Sequence, residues 1–64
     1  MIKNKTSKEM IEIIEADGWT LDRIRGDHHQ FVHTTKPGVV TIPHPEKNLG
    51  SWLIGKILKQ AGPK

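Results

Sequence analysis

A chain of 64 residues has room for one domain, spanning 1–64, with a thin core and no deep pocket. The absence of cysteine excludes a disulfide framework and every thiolate metal site. No apolar run is long enough for a signal peptide or a membrane span, so the expected location is cytoplasmic. Ten Lys+Arg against seven Asp+Glu leave a net charge of +3, compatible with a polyanionic partner but common in proteins that bind none.

Met1 to Lys5 is polar and basic and reads as a frayed start. Thr6-Ser7-Lys8-Glu9 has the spacing of a capping box, in which a hydroxyl accepts from a free backbone N–H and the glutamate reaches back. Met10, Ile11, Ile13 and Ile14 follow as an apolar stripe at helical spacing, and Gly18 supplies a left-handed stop, so a helix is expected from about Ser7 to Asp17. From Trp19 to Arg25 the aromatic, β-branched and alternating character predicts a strand. Gly26-Asp27 reads as a two-residue turn of the type that joins antiparallel strands, with a longer loop as the equal alternative, leading into a second strand from His28 or His29 to His33. Lys36-Pro37-Gly38 marks a turn, and Val39-Val40-Thr41-Ile42 is the strongest β segment of the chain.

His44-Pro45-Glu46-Lys47-Asn48 is a proline-punctuated loop that closes the meander. Leu53, Ile54, Ile57, Leu58 and Ala61 then form a helical stripe that Gly62-Pro63 terminates, with Asn48 and Ser51 as alternative caps for its start. The order α-β-β-β-α predicts an α+β fold, a three-stranded antiparallel sheet with two amphipathic helices on one face and water on the other. Phe31, the only phenylalanine, belongs toward the helices. Strand alternation then sends His29 and His33 to the same side and His28, Gln30 and Val32 to the open side. A bulge near the turn would exchange these assignments.

Ser7-Lys8-Glu9 before an Ile-rich helix, Gly18-Trp19, Arg23, Gly26-Asp27-His28 with Phe31 three residues on, Val40-Thr41-Ile42-Pro43-His44, and the closing Ile57-Leu58-Lys59-Gln60-Ala61-Gly62 together resemble the HicA family of mRNA interferase toxins. The resemblance runs over nearly the whole chain, and it is the order and spacing of these motifs that make it specific. It implies a fold like that of double-stranded-RNA-binding domains, ribosome-independent cleavage of mRNA, and neutralisation by a HicB-type antitoxin. No cofactor, no membrane contact and no DNA contact by this chain itself are expected. The family's catalytic histidine, usually in Gly-Ser-His, maps onto His28, with Asp27 standing where the family usually has serine.

Histidine suits RNA cleavage because its ordinary pKa, about 6.5, allows proton exchange with a ribose 2′-OH or a leaving 5′-oxygen at cellular pH without a metal. Arg23, Arg25 and Lys47 are the candidate cations for the scissile phosphate. His44, whose direction the flanking prolines restrict, joins that substrate-contacting set, with loop packing as its other role. His29 reads as partly buried and His33 as an edge residue. His28, His29 and His33 lack the helical i, i+4 spacing of a zinc-binding pair, which argues against a metal site. Trp52 lies opposite the apolar stripe beside Lys56 and Lys59, a set suited to anchoring an antitoxin or stacking an RNA base, with packing against a loop as the plain alternative. The competing functional reading is a non-catalytic module that holds duplex RNA by shape and phosphate contacts.

Overall fold

The computed structural model describes residues 5–62. The expected frayed start therefore lies outside the described residues except for Lys5, whose carbonyl accepts from the Leu49 amide at 3.0 Å, and Pro63 likewise lies outside them. Thr6 caps helix α1 (Ser7–Ala16) with the expected box, its Oγ1 accepting from the Glu9 amide at 3.1 Å while Glu9 Oε1 accepts from the Thr6 amide at 2.8 Å. These hydrogen bonds hold the Glu9 carboxyl below its ordinary pKa. The helix stops where Gly18 adopts φ +102°, which lets the Gly18 amide reach Glu15 O and the Trp19 amide reach Ile14 O, the paired bonds of a Schellman end.

Strand β1 (Thr20–Arg25) pairs antiparallel with β2 (His28–Val32), and β2 with β3 (Val40–Pro43), in the order β1-β2-β3. Gly26 takes φ +61° at the first position of the two-residue turn, a value shared by both primed hairpin turns. The sheet does contain a bulge, but it falls at Asp22 in β1, between the Leu21–Phe31 and Arg23–Gln30 pairs. Strand β2 keeps its alternation unbroken. Phe31 is buried and His28 exposed, as parity from Phe31 requires.

Helix α2 (Ser51–Ala61) and α1 pack mainly on β3 and on each other. Met10 and Ile14 from α1, Ile54, Ile57 and Ala61 from α2, and Phe31, Val40 and Ile42 from the sheet form the core, closed by Trp19 and Leu49. All six residues of β1 stay exposed, Leu21 and Ile24 included, so the helical cover does not extend across that edge strand. Neither expected side-chain cap forms on α2: Gly50 is its N-cap, at φ +72°, and the Asn48 side chain accepts instead from the Gly50 amide at 3.1 Å. Asn48 thus shapes the approach to the helix, and the glycine makes the turn into it.

Candidate functional site

His28 opens β2 directly after the Gly26-Asp27 turn, and 59% of its side-chain surface is exposed. Its Nε2 lies 3.7 Å from Asp27 Oδ1, beyond hydrogen-bond length but within reach of an ion pair when the imidazole is protonated. Among the described residues no hydrogen bond engages its ring, which leaves both nitrogens available to a ligand.

The ring borders a groove of about 260 Å³ lined by His28, Thr41 and Pro43 from the sheet and Leu53, Lys56, Ile57 and Gln60 from α2. The register explains the sheet side: Pro43 stands opposite His28 and Thr41 opposite Gln30, so all four share the face turned away from Phe31. The helix side follows from α2 packing on β3. Its residues Ile54, Ile57 and Ala61 enter the core, which swings Leu53, Lys56 and Gln60 toward His28.

The cations expected around the substrate divide on inspection. Arg25 is the cross-strand neighbour of His28, and Arg23 the neighbour of Gln30, so both extend from the same face. Arg23 is paired with Asp22 at 3.3 Å on the protein surface. Lys47 is exposed in the loop after β3 and does not line the groove. Lys56, expected on the partner-binding side, lines the groove itself. Lys59 is exposed and outside that lining. Trp52 is 74% exposed one turn before Lys56 on α2, which places it at the rim on the Lys56 side.

His44 sits apart from the groove lining. Its Nδ1 lies 2.5 Å from Ser7 Oγ and its ring meets His29 edge to face, with centroids 4.9 Å apart. His29 is partly buried, and its Nδ1 is buried without a hydrogen-bond partner. Sequence reading overlooked Thr41 and Gln60, although the Val40-Thr41-Ile42 alternation and the i, i+4 spacing of Lys56 and Gln60 were signals for both. Among the described residues no cluster of three or more His, Asp or Glu is arranged to hold a metal, and no helix is long and apolar enough to cross a membrane.

Comparison with known proteins agrees with this architecture. Residues 7–62 match the model of the HicA toxin of bacterial toxin-antitoxin systems. A chain of a toxin-antitoxin complex from Streptococcus pneumoniae superposes with a TM-score of 0.74 at 31% identity, covering 89% of this chain and 95% of that one. No curated protein matched. With the family model extending from the first residue of α1 to the C-cap of α2, the chain belongs to the HicA toxin family.

Proposed function

We propose that this toxin is a metal-independent endoribonuclease that cleaves mRNA in the cytoplasm, with His28 as general acid or base and Arg25 and Lys56 as the cations that hold the scissile phosphate. The observation that carries the reading is the exposed His28 imidazole, free of ring hydrogen bonds among the described residues, at the mouth of a groove that a lysine lines. A ring with both nitrogens unengaged can take a proton from a ribose 2′-OH or give one to a leaving 5′-oxygen. Lys56 and Arg25 approach it from opposite sides, α2 and β1, so a phosphate between them meets positive charge as its own negative charge develops. Arg23 and Lys47 extend the basic surface along the strand and loop, where they contact flanking phosphates.

Asp27 is part of this chemistry. Its carboxylate, 3.7 Å from Nε2, stands beside the ring and close to the path of a phosphate. A partner laid across the groove excludes RNA from it. A HicB-type antitoxin fits that role, with Trp52, Lys56 and Lys59 on the exposed flank of α2 as its contacts.

The test is RNA cleavage in EDTA by the wild type and His28→Ala. The expected result is cleavage by the wild type and its loss in the variant, with unchanged thermal stability because the side chain is exposed. Cleavage retained in His28→Ala overturns the assignment. RNA binding without cleavage by the wild type would replace it with the non-catalytic binding module.

A further inference from the structure

We infer that His44 is a positioning residue for His28, acting through Ser7 and through the two residues that flank His28 in the chain. The inference rests on the reading of His28 as the catalytic group. It departs from the expectation that His44 touches substrate.

Ser7 is the one buried polar residue among the described residues, with 1% of its surface exposed. Its backbone amide donates to Glu46 O at 2.8 Å, and the Glu46 amide donates back to Ser7 Oγ at 2.9 Å. Ser7 Oγ also lies 2.5 Å from His44 Nδ1. After accepting from the Glu46 amide the hydroxyl keeps one proton and one free lone pair, so it binds the imidazole nitrogen whichever of the two donates. The first residue of α1 thereby fastens the loop that follows β3.

That loop holds the site from two directions. The His44 amide donates to Asp27 O at 2.7 Å, which pins the turn residue before His28. The His44 ring packs edge to face on His29, the residue after His28, at 4.9 Å and 82°. His29 Nδ1 is buried without a hydrogen-bond partner, so the ring is held there by packing rather than by a hydrogen bond at that atom. Both chain neighbours of His28 are in this way referred to one residue, Asp27 to its backbone amide and His29 to its ring, while the His28 ring is left open to solvent. Because an exposed catalytic side chain has little packing of its own, the precision of its location comes from the backbone beneath it.

Three substitutions separate positioning from simple structural support. Asparagine carries an amide oxygen and NH2 close to the place of Nδ1, so His44→Asn keeps the Ser7 hydrogen bond in either direction. His44→Gln moves that amide one bond further out, and Ser7→Ala removes the hydroxyl. In steady-state RNA cleavage, His44→Gln and Ser7→Ala are expected to lose about tenfold or more in kcat with KM changed by less than about twofold, and His44→Asn to recover most of the loss. Wild-type kcat in both damaging variants overturns the inference and leaves the nuclease reading intact.

Amide NMR supplies a readout independent of activity, so a failure of the nuclease reading is distinguishable. Ser7→Ala and His44→Gln are expected to shift the Asp27 and His28 amide resonances, and His44→Asn to leave them near their wild-type places. Unmoved resonances in folded Ser7→Ala and His44→Gln proteins overturn the positioning role even if no RNA is cleaved. If Ser7→Ala fails to fold, the His44→Asn and His44→Gln resonances and kinetics decide.

Discussion

The two ends of β2 use histidine in opposite ways. Just beyond its last residue, His33 engages both ring nitrogens: Nε2 donates to Asp17 O at 2.8 Å, and Nδ1 accepts from the amides of Thr35 at 3.0 Å and Lys36 at 3.2 Å. Since backbone amides can only donate, Nδ1 serves them as acceptor while Nε2 donates to the carbonyl. Around it the Trp19 ring stacks edge to face at 5.2 Å, and the Lys36 ammonium joins the Asp17 carboxylate to the carbonyls of Ala61 and Gly62. Three separate stretches of chain are tied together there. At the other end, His28 has no ring hydrogen bond among the described residues and lies more than half exposed. An imidazole committed to holding backbone groups cannot also shuttle protons, so the ring left idle by the fold is the one available for chemistry.

The sharpest way to break this comparison is to delete each imidazole in turn. His28→Ala is expected to lower the rate of RNA cleavage by about 10²–10⁴-fold, the usual contribution of a general acid or base, while the melting temperature stays put. His33→Ala should do the reverse. It strands the Asp17 carbonyl and two amides in a partly buried site, costing about 1–3 kcal/mol, or roughly 4–8 °C in melting temperature per kcal/mol for a domain of this size. Equal loss of stability in the two variants would erase the distinction.

Gly18 probes the same structural end. A Cβ there would lie 2.7 Å from His33 Nε2, and the backbone holds φ +102°, outside the range comfortable for other residues. Gly18→Ala is expected to destabilise by about 1–3 kcal/mol, measurable by thermal or urea unfolding, with cleavage per folded molecule unchanged. At the functional end, Trp52→Ala should weaken antitoxin binding by about 2 kcal/mol, close to thirtyfold in Kd. Wild-type antitoxin affinity combined with a raised KM for RNA would reassign Trp52 to base stacking.

The smallest effect concerns pH. The hydrogen bond from Lys36 holds the Asp17 carboxyl below its ordinary pKa. A carboxyl with a lower pKa in the folded state contributes stability that is complete above the unfolded-state value of about 3.9 and is lost as pH falls through the folded value. The difference in melting temperature between wild type and Asp17→Asn is therefore expected to persist at neutral pH and to shrink in acid below that value. Both partners remain about one-third exposed, which keeps the contribution small. A difference that grows in acid would contradict the sign.

Much of the molecule was legible in local pattern. The Thr6–Glu9 box, Gly18 as the stop and the Gly26-Asp27 turn each depend on residues within one turn of chain, and each formed as expected. The boundaries moved by a residue: Trp19 left the first strand for the core, where its indole N–H donates to Ala61 O at 3.2 Å, and Val39 gave way to Val40 as the start of β3. The start of α2 was misread because Asn48 and Ser51 have the chemistry of caps, whereas the backbone entering the helix required a positive φ that Gly50 supplies.

What the sequence by itself determined is the order of elements and the opposite directions of His28 and His29, because the twofold alternation of a strand is built into its covalent geometry. Only the tertiary structure decided which residues share a site with His28. Lys56 comes to the groove because α2 packs on β3, and His44 is held apart from its lining by Ser7, which offers a buried hydroxyl 37 residues away in the chain. Neither pairing has a local period to announce it. Packing the helices against the β3 side of the sheet joined them, and the same packing left the His28 ring open to solvent.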